Sequence, residues 1–107
     1  MATAKSEMIE IKRAGAKAQP NSGRGTHKKG DAILEPFCID IKEYGKSYGL
    51  TKKVWAKTCS DAWSSGGRVP ALAVVLGETE RLRLWVVGDA MFHEMREAWI
   101  EKYGEAE

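Results

Sequence analysis

The chain has 107 residues, of which 43% are hydrophobic and 30% are charged. This length and composition predict one globular domain with a small core and exclude a disordered or disulfide-rich chain. No apolar run approaches the roughly 20 residues that span a bilayer, and the N-terminus lacks the apolar stretch of a secretory signal. We therefore expect a cytoplasmic protein with no membrane partner. The cysteines, Cys38 and Cys59, fit no metal-ligand spacing and are expected to be reduced.

The net charge of +2 conceals an asymmetry along the chain. Residues 1–57 carry 12 basic and 6 acidic side chains, a balance of +6, whereas residues 58–107 carry 5 basic and 9 acidic side chains, a balance of −4. Clustered positive charge favours a polyanionic partner, and phosphates are the commonest candidate. A solvated, lysine-rich surface would give the same counts, so charge alone leaves both interpretations open.

The first predicted elements are a short helix, a long loop and two strands. Ser6 is the expected N-cap of the helix. Residues 15–30 combine glycines, a proline and basic side chains, which predicts a basic, glycine-rich loop. Strands are expected at 32–34 and 37–42. Because strand residues alternate between faces, Asp40 and Lys42 should share one face, with Cα atoms about 6.6 Å apart.

A helix, a hairpin and a final helix are predicted for the rest of the chain. Thr51 is the expected N-cap of the middle helix, and Asp89 that of the last one. The strands of the hairpin are expected at 69–76 and 81–87. The predicted apolar stripe of the middle helix consists of Val54, Trp55, Cys59, Ala62 and Trp63. The final helix should place Phe92, Met95, Trp99 and Tyr103 on one face.

The tryptophans Trp55, Trp63, Trp85 and Trp99 are expected to lie mainly in the core, because they occupy amphipathic positions. The order of the elements predicts an α/β fold with a central mixed β-sheet flanked by helices. The connection from the 37–42 strand to the 69–76 strand is long enough to be a parallel crossover.

The sharpest motif is Gly30-Asp31, followed by Asp40-Ile41-Lys42. Two carboxylates can hold Mg²⁺ through their oxygens, and the backbone carbonyl of Ile41 can complete the coordination. A lysine on the same face can orient the attacking water or neutralise developing charge. The spacing therefore predicts a metal-dependent nuclease site. The simpler alternative is a turn residue at Asp31 and a solvated ion pair between Asp40 and Lys42.

The sequence resembles the archaeal-type Holliday junction resolvases of the PD-(D/E)xK nuclease superfamily, including their small phage and bacterial versions. The resemblance covers about residues 7–76 and rests on the joint order of short segments. These are Pro20-Asn21-Ser22-Gly23, Lys29-Gly30-Asp31, Ile39-Asp40-Ile41-Lys42, Ser47-Tyr48-Gly49-Leu50-Thr51-Lys52 and Gly67-Arg68-Val69-Pro70-Ala71-Leu72-Ala73. The sequence departs from the family pattern at Asp40, where glutamate is usual, and at Gly30, where the superfamily's name has proline.

The resemblance implies a restriction-endonuclease-like fold, with residues 1–107 forming a single nuclease domain. It implies that Asp31 and Asp40 are metal ligands and that Lys42 lies next to the attacking water. The helix carboxylate of the site would be Glu7, with Glu10 as the alternative one turn later. The implied cofactor is Mg²⁺, for which Mn²⁺ is expected to substitute.

The implied activity is that of a homodimeric endonuclease that cuts four-way DNA junctions, in the host cytoplasm if the protein is phage-encoded. Two alternatives remain open: a non-catalytic nucleic-acid-binding module of the same fold, and a superfamily nuclease with another DNA substrate. The final helix with Trp85 or Trp99 is a candidate dimer interface. Candidate DNA contacts are Ser22, Arg24, Lys28, Lys29, Tyr44, Lys46, Tyr48 and Lys52.

Overall fold

The computed structural model describes residues 4–19 and 30–105, which form an α/β fold built on one mixed sheet. Its elements are α1 (Ala4–Ala14), β1 (Lys17–Ala18), β2 (Ala32–Leu34), β3 (Phe37–Tyr44), α2 (Lys52–Ser64), β4 (Val69–Leu76), β5 (Leu82–Val87) and α3 (Asp89–Tyr103). The predicted α/β class with a central mixed sheet is confirmed. Among the described residues, no helix has the length and apolar character needed to cross a membrane.

β3 lies at the centre of the sheet, whose strand order is β1-β2-β3-β4-β5. It pairs antiparallel with β2, where Ile39 lies opposite Ala32, and parallel with β4, where Ile39 lies opposite Ala71. The chain passes from β3 to β4 through α2, because a parallel neighbour must enter the sheet from the same end. The predicted parallel crossover is therefore confirmed.

Successive residues of β3 serve opposite faces of the sheet. Ile39 and Ile41 pack with Ile11 of α1 and with Ala32 in the hydrophobic core. The alternation directs Asp40 and Lys42 to the other face, where α2 packs against β3 and β4. Asp40 is buried there, with 5% of its surface exposed. One strand thus supplies both the core and the polar face of the candidate site.

α2 begins as the sequence predicts and buries two polar residues next to most of the predicted apolar stripe. Thr51 caps the helix, and its Oγ1 accepts a hydrogen bond from the Val54 N–H at 3.2 Å. The buried residues of α2 are Thr58, Asp61 and Ala62, whereas Trp63 is 80% exposed. Of the predicted apolar stripe, Ala62 is buried and Val54, Trp55 and Cys59 are half-buried, so the prediction is wrong only at Trp63. Polar side chains face the sheet because Asp40 offers them a polar partner.

Other boundaries also differ from the sequence predictions. α1 begins before Ser6, whose hydroxyl donates a hydrogen bond to Glu43 Oε1 at 2.5 Å. The predicted loop at 15–30 contains β1, because Lys17 and Ala18 find backbone partners in β2. Gly88, and not Asp89, is the N-cap of α3, and no side chain caps this helix.

A large apolar surface remains exposed on α3 and β5, and no residue of α3 is buried. We call it the α3–β5 surface: Trp85 and Met95 line one cavity in it, and its exposed members are Trp85, Phe92, Met95, Trp99 and Tyr103. Leu82 and Leu84 are also exposed, but on the opposite face of β5. The expected core positions of Trp63, Trp85 and Trp99 are wrong, since these residues are 80%, 50% and 63% exposed. Amphipathic spacing identifies an apolar face, but it does not say whether the chain's own core covers that face.

Candidate active site

The two halves of the acidic motif meet at the start of β2. The backbone N–H of Asp31 donates to the Ile39 carbonyl at 2.9 Å. Its carboxylate Oδ2 accepts a hydrogen bond from the Ile41 N–H at 2.6 Å. Such a charge-assisted bond orients the carboxylate. Asp31 is therefore held against the backbone between Asp40 and Lys42.

Gly30 lets the chain approach Asp40 closely. Its φ is +82°, and a Cβ at this position would lie 2.5 Å from Cys38 Sγ and 3.5 Å from Asp40 Oδ1. A proline fixes φ near −65° and does not fit this backbone. The departure from the superfamily pattern at position 30 thus matches the local conformation.

Glu7 reaches Asp31 from α1. Burial first, and then the charge of Asp31, a hydrogen bond with Asp31 and the charge of Glu43, raise the pKa of Glu7 to about 7, against the lowering effect of Lys42. A hydrogen bond between two carboxyl groups requires a proton, which agrees with the raised pKa of Glu7. The charges of Asp31 and Lys42 therefore both act on Glu7.

Asp40 lies between Asp31 and the polar side chains of α2. Burial is the main cause that raises the pKa of Asp40 to about 6, and the charges of Asp31 and Asp61 add to it. Lys57 and a hydrogen bond with Thr58 act in the opposite direction. Asp40 is thus a buried carboxylate with like charges on two sides.

Glu10, the alternative helix carboxylate, lies in a separate ion-pair network. Its Oε1 accepts from Arg83 Nε at 3.0 Å, and its Oε2 lies 3.3 Å from Arg81 Nε. The hydrogen bond with Arg83 is the main cause that lowers the pKa of Glu10. Arg81 also pairs with Glu43, which accepts the hydroxyl of Ser6. This network ties α1 to β3 and β5 and so fixes the helix that carries Glu7.

The predicted DNA contacts fall into two groups. Ser22, Arg24, Lys28 and Lys29 lie outside the described residues. Of the others, Lys46 and Lys52 are exposed, and Tyr44 and Tyr48 stack with ring centroids 4.9 Å apart.

Tyr48 lies at the border of the acidic site. Burial, with the charges of Tyr44 and Asp40, raises the pKa of Tyr48. Its hydroxyl is buried and has no hydrogen-bond partner in the part of the chain that the structure describes. This hydroxyl can serve a substrate oxygen or a water at the edge of the site.

Three residues of α2 that border the site are not predicted from the sequence, namely Lys57, Thr58 and Asp61. Lys57 Nζ lies 2.7 Å from Asp61 Oδ2. The available signal was the spacing of Thr58, Asp61 and Ser65, which places polar residues on one side of a helix that follows the Asp40 strand. Hydrophobic periodicity does not use this signal, because it carries no information on buried polar partners.

The donor set fits a hard divalent cation in its chemistry, although its geometry is not preformed. Glu7, Asp31 and Asp40 offer only oxygens, which Mg²⁺ prefers. The negative charge of Asp31 contributes to the raised pKa values of both Glu7 and Asp40, and a bound cation would neutralise this repulsion. Within residues 4–19 and 30–105, no three Asp, Glu, His or Cys side chains lie close enough together to hold a metal ion.

The chain matches no family model, no curated protein and no solved structure. Support for a nuclease site therefore consists of the motifs quoted above and the geometry of these residues.

We expect the metal-free protein to lose stability as the pH rises from about 4 to about 7. The folded chain raises the pKa of Glu7 from 4.5 to about 7 and that of Asp40 from 3.8 to about 6, so it binds their protons more tightly than the unfolded chain. This contribution is complete below the unfolded values and is lost as the pH rises through the folded ones. Thermal unfolding in EDTA between pH 4 and 8 measures it.

The matched comparison is a Glu7→Gln/Asp40→Asn double variant, which lacks both titrations. Its melting temperature should exceed that of the wild type by an amount that grows with pH. A difference that stays constant over this range would contradict the proposed protonation of the pair.

Proposed function

We propose that this protein is a Mg²⁺-dependent endodeoxyribonuclease with a restriction-endonuclease-like fold that hydrolyses phosphodiester bonds in four-way DNA junctions. The observation that carries the proposal is that Asp31 interacts electrostatically with both Glu7 of α1 and Asp40 of β3, and that the charge of Lys42 also acts on Glu7. Buried like charges cost free energy, and active sites are where such costs are commonly retained. The β3-α2-β4 crossover and the mixed sheet are compatible with the proposed fold.

Asp31, Asp40, the Ile41 carbonyl and Glu7 would hold the Mg²⁺ ion. The ion would neutralise the scissile phosphate and lower the pKa of a water that attacks it. Other groups of the chain orient the carboxylates of Asp31 and Asp40. The Ile41 N–H fixes the carboxylate of Asp31, and Thr58 fixes that of Asp40. Lys42 Nζ donates hydrogen bonds to the attacking water or to a phosphate oxygen, where negative charge develops.

DNA would approach past the stacked rings of Tyr44 and Tyr48, which border the carboxylates. Exposed Lys46 and Lys52 would contact phosphates on either side. We propose the same role for Ser22, Arg24, Lys28 and Lys29 of the basic segment.

The direct test is incubation of the purified protein with a labelled four-way junction, a matched duplex and a single strand. We expect junction cleavage with Mg²⁺ or Mn²⁺ and none in EDTA. Products should carry symmetric nicks in opposed strands. Cleavage of the duplex at the same rate would support a superfamily nuclease with another substrate.

A second candidate function is a binding module without catalysis. It is favoured by the raised pKa of Glu7, because a protonated carboxyl group is a poor metal ligand. Such a module would bind DNA but would not nick a supercoiled plasmid, whether or not Mg²⁺ is present. The nicking assay therefore separates it from the proposed enzyme.

We expect a homodimer that prefers junctions to linear DNA. Two symmetric cuts require two sites related by a two-fold axis, and each chain supplies one site. The α3–β5 surface is the proposed interface, since an exposed apolar patch of this kind is typical of association sites. Light scattering should give twice the chain mass. In competition binding, the junction should displace duplex at equal salt, because phosphate charge alone supplies no such preference.

Trp99→Ala tests the interface, because Trp99 is 63% exposed and lies far from the carboxylates along the chain. This variant should shift the protein towards monomer and reduce the preference for the junction. A stable wild-type monomer that binds junction and duplex equally would remove the resolvase proposal and leave the nuclease site intact.

A further inference from the structure

On α2, the exposed cation Lys57 forms an ion pair with the buried anion Asp61. Lys57 Nζ lies 2.7 Å from Asp61 Oδ2, and the side chains are 68% and 10% exposed respectively. The buried end of the pair is therefore fixed by the fold, while the ammonium group reaches solvent. This arrangement holds a positive charge at a defined place on the helix surface.

Thr58 connects this pair to the acidic site. It is 2% exposed, and its hydroxyl lies 3.1 Å from the Val54 carbonyl and within hydrogen-bonding reach of the Asp40 carboxylate. A hydroxyl has one proton, so it donates to one of these two acceptors at a time. Because Lys57 and Asp61 flank Thr58 on the helix, the pair lies next to Asp40.

Electrostatic effects agree with this placement. The positive charge of Lys57 lowers the pKa of Asp40 against burial and like charges. The hydrogen bond with Asp61 is the main cause that raises the pKa of Lys57, and Asp40 and Asp31 add to it. The ammonium group is thus within electrostatic range of both proposed metal ligands.

Helix stability alone does not account for this pair. An ion pair four residues apart on a helix contributes little to helix stability, and the order of a lysine before an acid is the less favourable one. Asp61 also adds a buried negative charge beside Asp40, which is unfavourable for folding. An arrangement that costs stability and positions a charge is typical of functional sites.

We infer that Lys57 contacts a phosphate of the DNA strand held at the site and that Asp61 is its positioning residue. The inference rests on the proposed function and extends it. Lys42 would act on the side of Glu7, and Lys57 on the side of Asp40. The bound phosphate would then lie between cations supplied by β3 and α2.

The binding test measures the affinity of Lys57→Met for a labelled four-way junction in Ca²⁺, a hard dication that also prefers oxygen ligands. Fluorescence anisotropy over a range of salt concentrations gives the slope of log K against log salt. Loss of one phosphate contact should reduce the magnitude of this slope by about 0.9. A slope equal to that of the wild type would overturn the inference.

Two matched variants serve as controls. Lys12→Met removes the same charge from an exposed position on α1 and should leave the slope and the cleavage rate unchanged. Lys57→Arg keeps the charge and should retain the wild-type slope. A reduced salt slope in Lys57→Arg with an unchanged melting temperature would count against a phosphate contact.

Asp61→Asn separates positioning from binding. Lys57 remains in this variant, so the salt slope should stay near that of the wild type, whereas kcat should fall about 10-fold with little change in KM. Lys57→Met should instead raise KM as well as lower kcat. A lower melting temperature of Asp61→Asn with unchanged kcat would show that Asp61 is structural and would overturn its positioning role.

Failure of the inference is distinguishable from failure of the proposed function. If the wild type binds the junction without cleaving it, and Lys57→Met reduces the slope, the phosphate contact stands and the nuclease proposal fails. If the wild type cleaves and Lys57→Met binds and cleaves equally well, the inference fails alone. If the wild type binds no DNA, both fail.

Discussion

Asp31→Asn and Asp40→Asn should each reduce junction cleavage by at least about 10³-fold, which corresponds to about 4 kcal/mol of activation free energy. Each change removes a ligand charge from the proposed metal site but little volume. Binding of the junction in Ca²⁺ should persist, because the cations that contact phosphates remain. Single-turnover cleavage and anisotropy together measure the two effects.

The same substitutions should stabilise the metal-free fold. Asp40 is buried and is repelled by Asp31 and Asp61, so neutralising it relieves an unfavourable interaction. For a domain of this size each kcal/mol corresponds to roughly 4–8 °C in melting temperature. Glu78→Gln, at an exposed turn, is the control that should change neither activity nor stability. Wild-type cleavage by either aspartate variant would remove the site assignment.

Lys42→Ala should lower kcat by about 10²–10⁴-fold while Mg²⁺ affinity stays near that of the wild type. An ammonium group is not a metal ligand, but it can orient water and stabilise charge that develops in the transition state. Cleavage kinetics at saturating Mg²⁺, with calorimetric titration of the metal, measure the two quantities. A large loss of Mg²⁺ affinity would contradict the role assigned to Lys42.

Substitution of the two glutamates of α1, Glu7 and Glu10, should have different effects on Mg²⁺ binding and on melting temperature. Glu7→Gln should weaken Mg²⁺ binding, since Glu7 lies beside Asp31. Glu10→Gln should mainly lower the melting temperature, because it weakens the pairing with Arg81 and Arg83. An inactive Glu10→Gln with a normal Glu7→Gln would mean that the helix carboxylate is assigned one turn too early.

The shared face of Asp40 and Lys42 could be predicted from the sequence because strand alternation is a local property with a period of two. The cap at Thr51 is also local, because it depends only on the Thr51 side chain and the N–H of Val54 three residues later. The face that α2 turns to the sheet is not local, since burial of Thr58 and Asp61 depends on a partner in β3. Hydrophobic periodicity assigns polar residues to solvent and therefore does not predict the burial of Thr58 and Asp61.

Contacts between side chains that are distant along the chain can be predicted from the sequence only where a motif indicates them. The resemblance to junction resolvases implies Glu7 as the helix carboxylate of the site and keeps Glu10 as the alternative, because both are acids on one short helix. The arginines that engage Glu10 lie more than 70 residues further along the chain, and no spacing rule relates them. The exposed face of α3 was likewise identified as apolar, but its exposure depends on how the rest of the chain packs.

The division of β3 between two faces restricts how this strand can change in evolution. Substitutions at single positions affect either the core or the site, and each can be compensated on its own face. Insertion or deletion of one residue within the strand would instead exchange Ile39 and Ile41 with Asp40 and Lys42, which buries charges in the core and removes the ligands together. Variation in length is therefore expected at the turns around residues 35–36 and 77–81, and not between 37 and 44.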